Sequence, residues 1–369
     1  MRRDSDQAHF IEFMRTTFDA GPWDFAREAE HSNLVLFRQA LKICDLNGLF
    51  VGFVDVDAVN AVAFEHKKSE CIGITRGTVN SLLNVFALVA SCVKEPFFDL
   101  AEPWDEKKRL DATRFRKGRR DQLEVSPGQG LLCWLLTDIA LVFLLLHEFG
   151  HHESGHVHWL QHRLGKQGPA LFEQPLKNVP SAQLLGVEPD QVTALEIDAD
   201  IDGVTALLNF VEECVAEFGN DLTGPFPFLK DLTARYVALD IAVGVLFVVF
   251  SHQSSSIDEY KDSHPHPVIR GTYCRTGMLA YFELSGRDAD LEAYRSWIQS
   301  PKFPHFYWEM EYVLSGPQHL GNYLANRSFL EGRVDEAVRE LWEYSRPTWT
   351  TVGECALERR ARLDSAAEA

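Results

Sequence analysis

The sequence predicts an α+β fold that is predominantly α-helical. Long stretches place apolar and charged residues at helical spacing, as in residues 1–45 and in the acidic segment 189–218. One shorter stretch, "GLFVGFVDVDAVNAVAF" at 48–64, alternates with the period of two that is typical of strands. The chain has 369 residues, of which 46% are hydrophobic, so it can bury a large core.

A second β segment and a helix follow this strand region. The sequence "ECIGIT" at 70–75 predicts a short strand, and after a glycine-containing turn we expect a helix capped near Thr78. Segment 95–128 is broken by proline and glycine and holds the basic run "EKKRLDATRFRKGRRD". Such charge runs usually face solvent, so we interpret the segment as a connector, with a lid or partner-docking loop as the alternative.

From about residue 130 onwards, the sequence predicts a series of helices joined by loops. A long helix is expected over about 130–162, and the next begins after a Pro/Gly-rich loop with Asp190 as its N-cap. A third, apolar helix spans 229–251, and a polar loop separates it from the helical pattern at 268–345.

Charge, cysteine usage and targeting signals narrow the class of protein. The net charge of −18 argues against nucleic-acid binding, which favours basic surfaces. Seven scattered cysteines without a CxxC pair fit reduced thiols in a cytoplasmic protein. The N-terminus lacks the apolar core of a signal peptide, and the apolar runs at 130–146 and 239–250 are interrupted or too short for a span. We therefore expect a cytoplasmic chain with no membrane span.

The sequence "HEFGHHESGH", which begins at residue 147, contains the pattern HExxH twice. On a continuous helix, at about 100° per residue, His147 and His151 continue an apolar, inward-facing stripe. His152 and His156 fall on the other arc, which carries Asp138. We therefore choose the first copy as the metal-binding one and interpret the second as an accident of composition.

The first copy has the chemistry of a zinc hydrolase. Two histidines four residues apart on a helix can bind one zinc ion, and Glu148 could then take a proton from a zinc-activated water. His158 shares the stripe but lies about 10 Å further along the helix, too far to bind the same ion. We expect His158 and His162 to be ordinary helix-end histidines, with a second metal site as the alternative.

A zinc site with one open position needs a third protein ligand. The metzincin pattern would require a further histidine where this chain has Val157, so that pattern is excluded. The segment "ALEIDADIDG" offers Glu196 as the third ligand instead, and Asp200 one turn later as a hydrogen-bond partner for a ligand histidine. Gly203 lies on the same face and would permit the close approach of another helix.

Three motifs in sequence resemble the gluzincin peptidases of the HtpX and CAAX-processing type. They are "HEFGHHESGH", "EIDAD" at 196–200 and "SHPHPVIR" at 263–270, which match HExGHxxxGH, ExxAD and HPxxxxR. The resemblance covers about 147–270 and implies a zincin-like catalytic core with a small β-sheet beside the active-site helix. It also implies that His264 helps to stabilise the transition state and that Arg270 is structural or faces the substrate.

The sequence departs from the membrane members of that group, because their paired transmembrane segments have no counterpart here. In general organisation the chain more loosely resembles the cytosolic Lit-type phage-exclusion peptidases, which implies a role in stress or phage defence. Within the gluzincin pattern, Gly155-His156 corresponds to the trailing "GH" of the first motif.

We expect a zinc-dependent metalloendopeptidase that cuts an intracellular protein or peptide. Zn²⁺ would be held by His147, His151 and Glu196, with Asp200 and Arg270 supporting these ligands. The alternative is a non-catalytic, zinc-containing interaction module, although a structural zinc has no use for a base such as Glu148. The predicted layout is 1–100 as the N-terminal α/β part of the catalytic unit, 101–128 as the connector, 129–285 as the peptidase core and 286–369 as a C-terminal helical region.

We also expect an edge strand that pairs with the substrate and a means of restricting access to the active site. In zincins generally the substrate backbone pairs with an edge strand beside the active helix, and 71–75 is our candidate for that strand. An intracellular peptidase with unrestricted access would be hazardous, so we expect gating by segment 95–128 or by a regulatory protein partner.

Overall fold

The structure is a computed structural model that describes residues 2–23, 25, 34–91, 127–164, 170–172, 187–218, 226–251, 267–300 and the single positions 303, 306, 354, 356, 357, 359 and 361. Most of the predicted connector, the residue His264 and most of the chain beyond residue 300 lie outside this description. The described helices are α1 (Arg2–Phe18), α2 (Val35–Leu46), α3 (Arg76–Ser91), α4 (Pro127–Glu153), α5 (His156–Leu164), α6 (Pro189–Phe218), α7 (Phe226–Leu229), α8 (Leu232–Ser251), α9 (Pro267–Leu284) and α10 (Asp288–Ile298). The described strands are β1 (Phe50–Val54), β2 (Ala61–His66), β3 (Ser69–Thr75) and β4 (Ala170–Phe172). The predominantly helical α+β class is confirmed for these residues.

The four strands form one mixed sheet in the order β1-β3-β2-β4. Strand β3 runs parallel to β1 and antiparallel to β2, while β4 pairs with the other side of β2. The prediction that residues 71–75 form an edge strand for substrate pairing is therefore wrong, because β3 is hydrogen-bonded to a neighbouring strand on both sides. A short apolar strand looks the same in sequence at the centre and at the edge of a sheet, and only the pairing separates the two positions.

Helix α1 covers one face of this sheet. The apolar side chains of Phe10, Phe13 and Met14 pack with Phe64 and Val62 from β2 in a small hydrophobic cluster. The aromatic rings of Phe13 and Phe64 stack with their centroids 3.8 Å apart. The other face of the sheet contacts α4, so the sheet is a layer between α1 and the helical core.

Helix α4 is the central element of that core. It packs against α2, α3, α6, α8 and the sheet, and the side chains from Leu135 to Leu146 are all buried. A helix that is surrounded in this way is apolar on every side. The inward-facing stripe predicted for this helix is therefore not its only buried face.

Two described helical segments, Gln129–Glu153 and Leu232–Phe250, are long and apolar enough to cross a membrane when judged by length and composition alone. In each of them 83% of the most apolar window is buried inside the protein. A buried core helix meets the same criterion, so these segments say little about membrane insertion in either direction.

The long helix predicted over about 130–162 is interrupted. Helix α4 ends at Glu153 and α5 begins at His156, with Ser154 and Gly155 forming the turn between them. Gly155 has a φ of +77°, a left-handed conformation that favours glycine, and its N–H donates to the carbonyl of His152. The helical-wheel positions assigned beyond Gly155 were therefore wrong, because the chain changes direction there.

Two predicted helix starts also differ from the observed ones. Helix α3 follows β3 without a gap, and its N-terminal residue is Arg76 instead of Thr78. The hydroxyl of Thr78 donates to the carbonyl of Asn60 at 2.8 Å, so it ties the helix to the loop before β2. In α6 the first residue is Pro189, so Asp190 lies inside the helix instead of capping it.

A buried carboxylate joins the last three described helices. Asp240 of α8 accepts hydrogen bonds from Arg275 of α9 at 2.8 Å and from Tyr294 and Trp297 of α10 at 3.0 Å each. Because buried acids are tolerated when they are paired, this cluster can fix how α9 lies against the core. Helix α9 in turn positions Arg270 at the candidate site.

Candidate metal centre

Two neighbouring helices bring three potential metal ligands together. His147 and His151 project from α4, Glu196 projects from α6, and their ligand atoms all lie within 4.8 Å of one another. Each of these side chains is no more than 1% exposed. The structure therefore unites the three residues that the motif and the acidic helix predicted as ligands.

The three donors lie close enough together to hold one metal ion. Zinc–nitrogen and zinc–oxygen bonds of about 2.0–2.2 Å in tetrahedral geometry place neighbouring donor atoms about 3.3–3.6 Å apart. The Nε2 atoms of His147 and His151 are 3.1 Å apart; Nε2 of His147 lies 3.5 Å from Oε2 of Glu196, and Nε2 of His151 lies 3.7 Å from Oε1, so the spacing is close to this range. A zinc ion held by these three donors would keep one coordination position for water or substrate.

A carboxylate lies close behind the ring of His147. Its Nδ1 atom lies 3.0 Å from Oδ1 of Asp200, which leaves Nε2 to face the other two ligands. Asp200 is fixed in turn by Arg270, whose Nε and Nη2 atoms donate two hydrogen bonds of 2.8 Å to the two carboxylate oxygens. The structure thus places Asp200 and Arg270 where the sequence predicted supporting residues.

Arg270 also balances charge in this buried region. Its Nη2 atom lies 3.4 Å from Oε2 of Glu196 and 3.4 Å from Nε2 of His147, and its guanidinium lies over the ring of Phe247. The side chain is 2% exposed. One buried cation therefore accompanies two buried carboxylates, Glu196 and Asp200, whose cost of burial would otherwise be large.

His151 has a different partner behind it. Its Nδ1 atom lies 2.9 Å from Nδ1 of His156, and Nε2 of His156 lies 3.1 Å from Oδ2 of Asp198. Burial lowers the pKa of His151 well below its usual value, although the charge of Glu196 opposes this shift. A neutral imidazole is the form that binds a metal ion.

The second HExxH copy does not face solvent. His152 is 2% exposed, and its Nε2 atom lies 3.1 Å from the carbonyl oxygen of Cys71 in β3. His156 is fully buried and turns back towards His151, because the Gly155 turn redirects it. The helical wheel placed both histidines of this copy on an arc away from the site. For His156 that placement, and with it the interpretation of the copy as an accident of composition, is wrong.

The burial of Asp138 contradicts one premise of the helical-wheel argument, namely that its arc of α4 faces away from the core. This residue marked the arc opposite the apolar stripe, yet its side chain is fully buried. Its carboxylate accepts backbone N–H bonds from Leu36 at 2.8 Å and from Phe37 at 2.7 Å, at the start of α2. The two arcs of α4 thus differ in the element that each one contacts, and not in their exposure.

A glycine brings the two ligand-bearing helices close together. A Cβ atom on Gly203 of α6 would lie 3.0 Å from Cα and 3.1 Å from the backbone N of His147. The prediction that Gly203 permits close approach is confirmed. Since Glu196 lies two turns earlier on the same face of α6, this contact sets its distance from the histidines.

The other residues predicted to belong to the site differ in where they lie and in whether the structure describes them. Glu148 is 1% exposed and lies on α4 between the two histidine ligands in sequence. His158 lies on α5, beyond the Gly155 turn, and is absent from the three-residue ligand group found among the described residues. His264 and the side chain of His162 lie outside the description, so their assigned roles stay predictions. The contact between Asp198 and His156 was not predicted from the sequence, because it depends on the direction that the chain takes after the turn at Gly155.

Comparisons of the chain with protein-family models, with curated proteins and with solved structures found no match. The resemblance to gluzincin peptidases therefore remains an expectation that rests on the three motifs.

Proposed function

We propose that this chain is a zinc-dependent metalloendopeptidase. The observation that carries the proposal is the buried group of His147, His151 and Glu196, whose ligand atoms all lie within 4.8 Å of one another. The three-motif resemblance supports a peptide bond as the target. Zinc bound by these ligands would supply Lewis acidity, which acidifies water and polarises a carbonyl group.

The residues of the chain have separate tasks in the proposed reaction. Glu148 accepts a proton from the attacking water and passes it to the leaving amine, the role of the HExxH glutamate. Asp200 and the His156–Asp198 pair orient the two ligand imidazoles, so that the nitrogen atoms point to one place. Arg270 balances the buried carboxylates, and His264 is our candidate for stabilising the transition state.

The sheet offers a different substrate strand from the one first expected. Among the described strands, β1 and β4 lie at the ends of the sheet order. Leu171 of β4 belongs to a hydrophobic cluster with Val157 of α5 and Leu195 of α6, so β4 is the end strand on the side of the ligand-bearing helices. We therefore propose β4 as the strand that pairs with an extended substrate.

The Glu148→Gln variant tests the chemistry. It should bind one zinc per chain like the wild type, because Glu148 is not a ligand, but it should lose peptide hydrolysis by about 10²-fold or more. Zinc content is measured by elemental analysis, and cleavage is measured by comparing a host-cell lysate treated with each protein. Equal cleavage patterns for the two proteins would favour the non-catalytic interaction module.

The choice of metal ligands has its own control. His147→Ala and His151→Ala should lose bound zinc, while His152→Ala should retain it, because His152 contacts the carbonyl of Cys71 instead of the ligand group. Zinc that survives the first two changes and disappears with the third would contradict the site.

A further inference from the structure

His156 forms a buried bridge between a proposed zinc ligand and a carboxylate. Its Nδ1 atom lies 2.9 Å from Nδ1 of His151, and its Nε2 atom lies 3.1 Å from Oδ2 of Asp198. His156 is fully buried, while the side chain of Asp198 is 26% exposed. Both ring nitrogens of His156 are thus directed at specific partners.

Metal binding by His151 would require one arrangement of the ring protons along these contacts. The carboxylate of Asp198 can only accept when it is ionised, so Nε2 of His156 must carry the proton that is donated to it. To bind a metal ion, Nε2 of His151 must carry a lone pair, so the ring proton of His151 lies on Nδ1, and Nδ1 of His156 at 2.9 Å is positioned to accept it. His151 must then donate from its own Nδ1, and its Nε2 keeps a lone pair directed at His147 and Glu196.

We propose that His156, backed by Asp198, is a positioning residue that fixes the tautomer and the ring orientation of His151 for metal binding. This inference rests on the proposed zinc site. Metal-binding histidines commonly donate their second ring nitrogen to a carboxylate or carbonyl. In this chain His147 has a carboxylate directly behind it, and His151 reaches one through a second histidine.

The local backbone explains why a histidine fills this place. Gly155 adopts a positive φ in the turn that follows α4, and the next residue points back towards the ring of His151. Asp198 and Asp200 lie on the same helix as Glu196, which means that α6 supplies the third ligand and both orienting carboxylates. The second HExxH pattern therefore contains one residue that supports the first pattern.

The experiment compares zinc affinity in three variants, measured by competition with a chelator. His156→Leu removes the acceptor for His151 and should weaken zinc binding by about 10- to 100-fold. His156→Asn places an amide oxygen near the former Nδ1 position, so it should restore most of that affinity. His152→Leu is the matched control, because it changes a buried histidine of the same motif that contacts β3, and it should bind zinc like the wild type.

A second measurement observes the tautomer without any metal. Nitrogen NMR of the ¹⁵N-labelled histidine rings should show His151 protonated at Nδ1 in the wild type and in His156→Asn, and a mixture of tautomers in His156→Leu. If His156→Leu fails to fold, Asp198→Ala provides the same two readouts, because its side chain is partly exposed, and it should weaken zinc binding in the same direction.

The outcomes separate this inference from the proposed function. A wild-type protein that binds no zinc would overturn both. A wild type that binds zinc tightly, together with His156 and Asp198 variants of unchanged affinity and unchanged His151 tautomer, would overturn the positioning role alone. Equal losses of affinity in His156→Leu, His156→Asn and His152→Leu would assign the effect to general damage to the core, and would also overturn it.

Discussion

Asp138 shows what one carboxyl group does inside an apolar helix. Burial raises the pKa of Asp138 to about 7, although the backbone N–H groups of Phe37 and Leu36 favour the ionised form and oppose this shift. The group therefore sits between two competing effects, desolvation and the capping of α2. Which effect is larger can be read from the pH dependence of stability.

We expect Asp138 to stabilise the protein less as the pH rises from about 4 to about 7. In this window the folded chain holds the Asp138 proton more tightly than the unfolded chain, whose pKa is near 3.8, so ionisation lowers the free energy of unfolding. The measurement is urea unfolding of the wild type and of Asp138→Asn across this range. Their difference in unfolding free energy should fall by up to about 1.4 kcal/mol per pH unit and level off above pH 7. A difference that rises with pH would mean that capping outweighs desolvation.

At the scale of elements, the contact between α4 and α6 controls the ligand geometry. Gly203 lies against the backbone of His147, and Gly150 of α4 lies 3.6 Å, as measured from an added Cβ, from Ala199 of α6. Small residues on both sides of the crossing, Gly150 on α4 and Ala199 and Gly203 on α6, let the helices approach. The distance from Glu196 to the histidines is therefore set by residues that bind no metal.

The Gly203→Ala variant should weaken zinc binding while leaving the chain folded. The new Cβ would contact the His147 backbone at 3.0 Å, so α6 must move by a few tenths of an ångström and carry Glu196 away from the histidines. The expected overpacking cost of about 1–3 kcal/mol exceeds the gain of up to about 1 kcal/mol from replacing a helical glycine. Zinc affinity and urea unfolding give the two readouts.

Gly130→Ala provides the control for this change. Gly130 also lies in a helix, but a Cβ there meets no atom within 4 Å. It should therefore stabilise the protein by up to about 1 kcal/mol and leave zinc affinity unchanged. A similar stabilisation from Gly203→Ala, with unchanged zinc binding, would show that the α4–α6 distance is not limiting.

The same elements show why sequence alone predicted part of the site. The spacing of His147 and His151 is a local property of one helix, and Glu196 stands out as an acid among apolar residues. The close helix contact at Gly203 was predictable because a glycine on the ligand-bearing face of a helix leaves room for another helix to approach. These inferences needed only helical geometry, and the structure brings the residues together accordingly.

The direction of His156 needed knowledge that helical geometry does not contain. The wheel assumed a continuous helix through Gly155, but a helix end depends on how the chain packs after it. The place of β3 at the sheet centre likewise depends on its pairing with β1 and β2. Both errors arose where a tertiary contact, and not a local pattern, determines the structure.

At the scale of the whole molecule, distant parts of the chain meet around α4. One hydrophobic cluster extends from Phe25 to Phe306 and includes most of α4 and α8. Arg359, near the C-terminus, is 3% exposed and donates to the carboxylates of Glu70 in β3 and Glu153 at the end of α4. Arg359 therefore links the sheet to the end of α4, the helix that carries two of the proposed metal ligands.

Zinc should for this reason stabilise the whole fold. Its ligands come from α4 and α6, and Arg270 of α9 contacts the same group, so global unfolding must release the ion. Free zinc at about 100 times its dissociation constant should raise the free energy of unfolding by about 2.7 kcal/mol, and a chelator should reverse the change. Thermal unfolding with and without zinc measures this shift, and His147→Ala should abolish it. Identical zinc responses of His147→Ala and the wild type would instead place the stabilising ion at another site.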